Sequence, residues 1–197
     1  MLSTTRNAII RITTGAVSVI ALLSAGLAGV TQAEPVYWSG NEHYYDVVAV
    51  PGRITWEAAS LAAEAVGGYL ATLTSAEEND FAYAVAISNT AAWEPTGFRH
   101  GPYLGGFQPP DTTQEPDGGW EWVTGEPWSF TWWDNGEPND AWDGEDRLHF
   151  HGLNADVPSG WNDLDGGNDP MWGYVVEWDP GVGTEFSTWG RVKNIYR

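Results

Sequence analysis

The segment spanning residues 134–146 constrains most strongly what this chain can fold into. Its sequence, DNGEPNDAWDGED, contains six carboxylates and no basic residue, and a Trp-Asn-Asp triplet follows at 161–163. A run of acidic residues is most often a solvated loop. Carboxylate and carboxamide oxygens at this density are also the hard ligands that calcium selects over zinc or copper. The segment is therefore either a fully solvated loop or a loop folded around a cation.

Short motifs in and after this segment resemble the calcium-dependent sugar site of C-type lectin-like domains. They are Glu137-Pro138-Asn139, Gly144-Glu145-Asp146 and Trp161-Asn162-Asp163. Further matches, some of them to secreted bacterial members of the family, are Tyr103-Leu104-Gly105-Gly106, Gly119-Trp120-Glu121-Trp122 and Thr124-Gly125-Glu126-Pro127-Trp128. The resemblance covers roughly residues 42–179. It implies an α+β C-type lectin-like fold with two helices, short antiparallel sheets and a long calcium-binding loop region.

The order of sequence patterns is consistent with that fold, because helical patterns come early and a long irregular region follows. A helix is predicted over residues 55–66, with Thr55 as N-cap and Gly67-Gly68 as its stop. A capping box of Ser75 and Glu78 opens a second helix that extends to about Ile87. Segments rich in aromatic and β-branched residues predict strands at 36–38, 43–50, 69–73, 147–151 and 173–178, whereas 103–107 and 120–123 are short aromatic runs within the long irregular region.

The resemblance gives four side chains a dual role. Glu137 with Asn139, and Glu145 with Asn162, would each bind calcium through an oxygen and also bind one sugar hydroxyl. The carboxylate of each pair would accept the hydroxyl proton, and the amide would donate an N–H to the hydroxyl oxygen. In the family, the Glu-Pro-Asn order goes with mannose-, fucose- or N-acetylglucosamine-type ligands. We therefore expect a calcium-dependent lectin with this preference, whose partner is a glycan or glycoconjugate.

Three neighbouring residues complete the site that the resemblance implies. Asp163 would close the metal shell, and the peptide bond before Pro138 would be cis so that both flanking side chains face the same ion. Trp142, inside the acidic segment, is a candidate to stack on the sugar ring. The other tryptophans are expected to be mostly core.

A second calcium ion is implied beside the first, because further acids match the family's auxiliary site by their order. They are Asp111, Glu115, Asp140 and Asp146, with Glu145 shared between the two ions. A polar turn is the alternative for Asp111 and Glu115, since prolines and glycines surround them. Whether one calcium ion or two are bound is left open.

The two ends of the chain differ in composition from its middle. Arg6 and Arg11 precede an apolar run that ends in small residues, so residues 1–33 are predicted to be a secretory signal peptide. A transmembrane anchor is the alternative, but the run is short and rich in Ala and Gly. Residues 34–181 would form the lectin-like domain and 182–197 a basic tail of unknown role. The protein is expected to be secreted or periplasmic, and its oligomeric state stays open.

Charge and cysteine content exclude several classes of protein. All 27 acidic residues lie after residue 33, and the formal net charge of the full chain is −19. Such a charge repels nucleic acid and anionic membranes, and no second apolar run predicts stable membrane insertion. The chain has no cysteine, which rules out disulfides, thiolate zinc sites and a cysteine nucleophile.

The absence of disulfides is a departure from the family. By alignment, Ala63 and Val176 occupy the positions of one cysteine pair, and Arg147 and Gly166 those of the other. Ala63 and Val176 can pack together in the core, whereas we expect no apolar contact to replace the second link. A lost disulfide otherwise costs about 2–4 kcal/mol. Calcium is therefore expected to contribute more than usual to ordering the binding loops.

Enzymatic functions are weakly supported. His149 and His151 alternate on a predicted strand and are a minor candidate for a zinc site, but no Gly-x-Ser-x-Gly elbow or Gly-rich phosphate loop is present. The acids are assigned to metal, which leaves none for glycoside hydrolysis. We expect no enzyme. The stronger alternative is an extracellular adhesion or protein-binding module that uses calcium as structural support and binds no sugar.

Overall fold

The computed structural model describes residues 34–95, 100–141, 144–152 and 160–181. The predicted signal peptide, the basic tail and Trp142 lie outside these ranges. The elements in chain order are β1 (Val36–Trp38), β2 (His43–Ile54), α1 (Trp56–Glu64), β3 (Tyr69–Leu70), α2 (Ala76–Ile87), a 3₁₀ turn (Thr90–Ala92), β4 (His100–Phe107), β5 (Glu121–Trp122), β6 (Arg147–His151), β7 (Gly160–Leu164) and β8 (Met171–Trp178). None of the helices in the described residues is long and apolar enough to span a bilayer.

One mixed sheet carries the domain, in the strand order β1-β2-β8-β4-β6-β7. The pairing of β2 with β8 is antiparallel and joins the first and last parts of the described chain. β4 runs parallel to β8, with Tyr103 opposite Tyr174. The far edge, β4-β6-β7, is antiparallel. This edge matters for function because the acidic segment leads directly into β6 and the Trp-Asn-Asp triplet lies within β7.

Both helices begin where the sequence predicts. Thr55 caps α1, with its hydroxyl accepting from the amide of Ala58 at 3.3 Å, and Ser75 caps α2 by accepting from Glu78 at 3.2 Å. The predicted capping box is only half formed. The Glu78 carboxylate accepts instead from the amide of Thr74 at 2.6 Å and from the Tyr45 hydroxyl at 2.7 Å. Glu78 is buried, so its carboxylate needs hydrogen-bond partners within the protein, and Thr74 and Tyr45 supply them.

The strand predictions are confirmed in position, with shifts in length. β6 occupies the predicted residues, β2 and β8 are longer than predicted, and β3 is shorter. β4 and β5 lie on the two aromatic runs, for which no strand was predicted. β7 was not predicted at all. Its sequence, Gly-Trp-Asn-Asp-Leu, contains residues that are depleted in strands, and pairing of all five with β6 overrides that local preference.

Most tryptophans that the structure describes are core residues, as expected. Trp161 on β7 is fully buried, and the rings of Trp122, Trp128 and Trp133 lie with centroids 5.7–5.9 Å from its own. The backbone beside this cluster is fixed as well, because the Trp161 amide donates to the Trp132 carbonyl at 2.8 Å. The Asp134 amide donates to the Trp161 carbonyl at 2.9 Å. The start of the acidic segment is therefore held against β7.

The two positions that carry disulfides in the resembling family are filled differently here. Ala63 and Val176 are both fully buried in one hydrophobic cluster, as expected. At the second position, our expectation that no apolar contact replaces the link is wrong. A Cβ on Gly166 would lie 2.3 Å from Cγ of Arg147, so the aliphatic stem of Arg147 covers this glycine. The guanidinium then lies over the Trp56 ring at 4.8 Å and pairs with Glu57 at 2.9 Å.

Candidate functional site

The Glu-Pro-Asn motif forms a tight loop. The Glu137-Pro138 peptide bond is cis, as predicted, and the Glu137 amide donates to the Asp134 carbonyl at 3.0 Å. The side-chain amide of Asn139 donates to the Glu137 carboxylate, and its carbonyl oxygen accepts from the Ala141 amide at 2.8 Å. The two flanking side chains therefore share one side of the loop, as their predicted roles require.

Asp163 on β7 anchors this loop to the sheet. Its buried carboxylate accepts from the backbone amides of Asn139 at 3.0 Å and Asp140 at 2.8 Å. Burial raises the pKa of Asp163, and these hydrogen bonds oppose the rise. Asp163 is thus brought together with Glu137 and Asn139, although it lies more than twenty positions after them in the chain.

A second turn brings Glu145 to the same place. Asp140 adopts a positive φ of 43°, and its carboxylate accepts from the amides of Gly144 at 2.6 Å and Glu145 at 3.0 Å. The Glu145 carboxylate in turn accepts from the Ala141 amide at 2.9 Å. Asp140 therefore shapes the turn in this structure, and its carboxylate is not free to serve only as a metal ligand.

The electrostatics of the site favour a cation. Burial raises the pKa of Glu137 and of Glu145 to about 7, and the charge of Asp163 adds to both shifts. Both shifts therefore come from the removal of the carboxyl groups from water and from neighbouring negative charge. Carboxylates arranged in this way either take up protons or share a positive ion.

The residues fit calcium by donor chemistry. Glu137, Asn139, Glu145, Asn162 and Asp163 offer only hard oxygens, and the repulsion among the carboxylates is what a divalent ion relieves. Within the described ranges, however, no three His, Cys, Asp or Glu side chains are already placed as a metal site. Backbone amides of the loop occupy oxygens of Asp163, Asn139 and Glu145 instead.

Asn162 is placed differently from its predicted role. It lies on β7, only 8% exposed, and both hydrogens of its side-chain amide are used within the protein. One is directed at Nε2 of His149, 3.1 Å away, and the other at the backbone carbonyl of Asp163. In this arrangement the amide has no hydrogen left to donate to a sugar hydroxyl.

Of the auxiliary acids, the structure brings Glu115 and Asp146 towards the site. Burial raises the pKa of Glu115, and the nearby charges of Asp140, Asp146 and Asp163 raise it further. Asp146 also has a raised pKa from burial, which its 2.9 Å ion pair with Arg147 opposes. Asp111 lies exposed in the turn after β4, and no hydrogen bond or ion pair within the described residues links it to the other acids.

Sequence reasoning missed several residues around the site. His151 pairs with Asp134 at 2.7 Å and so ties β6 to the start of the acidic segment. Trp132, 37% exposed, stacks on Phe130 with ring centroids 5.9 Å apart, five positions before Glu137. The alternation of His149 and His151 along the predicted strand could have drawn attention to His151. Nothing in the sequence distinguishes Trp132 from the core tryptophans.

A separate polar cavity of about 410 Å³ is lined by His43, Tyr69, Thr124, Glu126 and Asp179. His43 contacts the buried carboxylate of Glu177 at 2.6 Å, and this contact raises the pKa of His43. The Tyr45 hydroxyl donates to Glu177 at 2.9 Å or to Glu78 at 2.7 Å. These groups satisfy one another, and they connect β2, α2 and β8.

Comparison with known proteins gives three curated matches in sequence, which carry the same name in three species, and a large group in structure. No family model matches the chain. The chain is 34% identical over 121 residues to "C-type lectin domain family 4 member M" of Hylobates lar, an alignment covering 59% of this chain. The chain spans only 25% of the length of that relative.

Solved structures with the same fold differ in what their descriptions say about ligands. The C-type carbohydrate-recognition domain of cow CD23, crystallised in the presence of GlcNAc2Man3 oligosaccharide, aligns with TM-score 0.54 and 23% identity over 74% of this chain and 93% of that domain. A Ca²⁺-dependent type II antifreeze protein aligns with TM-score 0.54 and 18% identity, covering 74% and 98% of the two chains. The Ca²⁺-independent C-type lectin SPL-2 of Saxidomus purpuratus aligns with TM-score 0.55 and 21% identity, covering 76% and 94%.

Proposed function

We propose that this chain, which has the C-type lectin-like fold, is a secreted, calcium-dependent carbohydrate-binding protein. The observation that carries the proposal is the convergence of Glu137, Glu145 and Asp163 around Asn139, with the pKa values of both glutamates raised to about 7. Such a cluster is costly to maintain without a cation, and it consists of the motifs that the family uses for sugar. The lectin name of the curated relative supports the same reading.

The chain's own residues would divide the work of recognition. Calcium, when bound, supplies positive charge and open coordination positions for two neighbouring hydroxyls. Glu137 and Glu145 would accept the protons of those hydroxyls, and Asn139 would donate from its amide. Asp163 would hold the loop to β7 while contributing an oxygen ligand. The Glu137-Pro138-Asn139 order leads us to propose a mannose-, fucose- or N-acetylglucosamine-type preference.

A second candidate is a calcium-stabilised adhesion or protein-binding module that binds no sugar. The internal use of both Asn162 amide hydrogens favours it, because it removes one of the expected sugar contacts. That the fold is also found in a Ca²⁺-dependent antifreeze protein supports it as well. We propose no enzymatic activity for either candidate, and the named lectins among the relatives are consistent with this.

The test is a glycan array probed with labelled protein in millimolar calcium and again with a chelator. Binding to mannose-, fucose- or N-acetylglucosamine-terminated glycans that the chelator abolishes supports the lectin. Calcium binding by calorimetry, combined with no array signal and no competition by any monosaccharide, supports the adhesion module. Trp142→Ala refines the result, since a stacking residue affects sugar affinity, by about 1–3 kcal/mol, and leaves calcium affinity unchanged.

Export and the chain ends belong to the same proposal. We propose that residues 1–33 are a cleaved signal peptide, that 34–181 form the binding domain, and that 182–197 are a basic tail whose role stays open. The mature product would then begin at Glu34, in the periplasm or outside the cell. Mass spectrometry of the protein recovered from its native compartment tests the cleavage directly, since an intact Met1 end would contradict it.

A further inference from the structure

His149 is directly opposite Asn162 in the sheet. The two residues form a register pair between β6 and β7, and His149 is fully buried. Its ring therefore has no access to water, and its two nitrogens must find their partners within the protein. Those partners are the Phe150 carbonyl for Nδ1, at 2.6 Å, and the Asn162 amide nitrogen for Nε2, at 3.1 Å.

The first contact fixes which ring nitrogen of His149 carries the proton. A carbonyl oxygen can only accept, so Nδ1 must be the N–H donor. A second proton on Nε2 would place a charged ring in the core, close to two other histidines, with ring centroids 5.3 Å away for His100 and 6.2 Å for His151. The neutral ring with a lone pair on Nε2 is the form consistent with this environment.

The lone pair then fixes the side chain of Asn162. An acceptor on Nε2 requires the NH₂ group of the amide to face the histidine, and the second hydrogen of that group is directed at the Asp163 carbonyl. The amide oxygen must therefore point away from both. We infer that His149 is a positioning residue that locks the Asn162 amide, so that neither amide hydrogen of Asn162 is available to a ligand and any role of Asn162 at the site depends on its carbonyl oxygen. This inference rests on the proposed function for the cation that the oxygen would bind.

The consequence is an asymmetric sugar site. The pair of Glu137 and Asn139 keeps an acceptor and a donor, because only one amide hydrogen of Asn139 is used within the loop. The pair of Glu145 and Asn162 keeps only the acceptor. A hydroxyl bound next to Glu145 would thus be held by the cation and the carboxylate alone. Ligand recognition depends mainly on the hydroxyl next to Asn139, which makes Asn139 the specificity-determining amide.

Nuclear magnetic resonance on the full chain tests the geometry without any metal. Long-range ¹H–¹⁵N correlation at neutral pH is expected to show His149 protonated at Nδ1 and unprotonated at Nε2. The Asn162 side-chain amide is expected to show two slowly exchanging hydrogens. Protonation of His149 at Nε2, or rapid exchange of the Asn162 amide hydrogens, would overturn the inference, whether or not the protein binds calcium.

Calorimetry with calcium tests the positioning role. His149→Leu is expected to weaken calcium binding by roughly 10–100-fold, as loss of a group that orients a metal ligand usually does. His149→Gln, whose side-chain oxygen can accept from Asn162, is expected to recover much of that loss. His43→Leu is the control, because it removes a histidine of a different cluster, one that is partly buried and pairs with Glu177.

The outcomes of the calorimetry separate the possibilities. Equal destabilisation by His149→Leu and His43→Leu, with calcium affinity unchanged in both, would mean that His149 only fills space, and the inference would fail. No calcium binding by wild type would overturn the proposed function, while the resonance experiment would still decide the orientation of Asn162. If His149→Leu does not fold, His149→Gln and the resonance measurement remain decisive.

Discussion

Asp163 on β7 accepts the backbone amide of Asn139 at 3.0 Å and thereby holds its charge near Glu137, whose pKa is raised by burial and by the charge of Asp163. Two carboxylates that share a site in this way resist ionising together when no counter-charge is present. The metal-free loop therefore has to retain protons or open, whereas a bound cation would let both groups stay ionised. The first two predictions follow from this contact.

Calcium is expected to raise the melting temperature. Extracellular calcium modules bind at about 10⁻⁴–10⁻³ M, so several millimolar calcium stabilises such a domain by about 1–2 kcal/mol through mass action. Differential scanning calorimetry with chelator, with calcium and with magnesium measures the effect, magnesium serving as the control for ionic strength. Superimposable curves with chelator and with calcium would show that calcium does not stabilise the fold.

Calcium binding is expected to release protons, and its stabilising effect to grow with pH. In the metal-free protein the pKa values of Glu137 and Glu145 are raised from 4.5 to about 7. Such groups stabilise the fold below their unfolded pKa, and that contribution is lost as pH rises through the folded value. Calcium requires the ionised forms, so it offsets this loss between about pH 4.5 and 7.

Calorimetric titration in two buffers of different ionisation enthalpy counts the released protons at pH 6.5. Glu137→Gln is the control, because it retains an oxygen and cannot lose a proton. Proton release in wild type that is undiminished in this variant would contradict the assignment to Glu137.

Exchanging the acid and the amide of the motif is expected to change sugar preference. Glu137→Gln with Asn139→Asp keeps one amide and one carboxylate, so the side-chain hydrogen bond between the two positions can form in reverse. The order of donor and acceptor presented to the ligand is then inverted, and binding should move from mannose-type towards galactose-type sugars, weakly, because shape around the site also discriminates. Competition of glycan binding by free monosaccharides measures the change. A double variant that keeps the original preference would show that these residues do not select the sugar.

Gly166→Ala is expected to destabilise the fold by about 1–3 kcal/mol through overpacking. The added methyl would lie 2.3 Å from Cγ of Arg147 and 2.9 Å from Cβ of Trp56, and neither atom is at the free end of a side chain. Gly167→Ala is the matched control, since its nearest neighbour would be Asp165 at 3.6 Å. Urea denaturation of both variants measures the difference, and equal midpoints would contradict the close packing of Arg147 on Gly166.

The cluster around Glu177 predicts a separate pH effect. The hydrogen bond to Glu177 is the main reason that the pKa of His43 is raised above 6.5, so its stabilising contribution is present below that value and is lost as pH rises through the folded pKa. Denaturant midpoints of wild type between pH 6 and 9, in saturating calcium, should fall. His43→Gln should show a smaller fall, and a variant with the wild-type slope would assign the effect to other groups.

Local sequence patterns predicted the features of the fold that depend on residues close together in the chain. The N-caps of α1 and α2 and the position of β6 follow from short local patterns, whereas the cis bond before Pro138 was predicted from the family resemblance. β7 escaped prediction because its strand character comes from pairing with β6. The capping box failed at Glu78 because Tyr45 and Thr74, from elsewhere in the fold, bind the carboxylate.

The same distinction applies to the candidate site, where some features follow from the local sequence and others from long-range contacts. Its residue types and their order were apparent in the sequence, including the acids that converge on Asp163. The direction of the Asn162 amide was not, because it depends on a ring nitrogen of His149 that only the sheet register brings within 3.1 Å. Trp142 and Asp111 remain predictions, the first because it lies outside the described residues.

Arg147 and Gly166 stand where the resemblance places a disulfide, and here their junction is held by packing, an ion pair and a cation over an indole ring. None of these contacts is broken or formed by electron transfer. The base of the binding loops therefore keeps its shape in oxidising and reducing surroundings alike. Under the proposed function, the loops would instead respond to the concentrations of protons and of divalent cations, and both would act on the carboxylates of Glu137, Glu145 and Asp163.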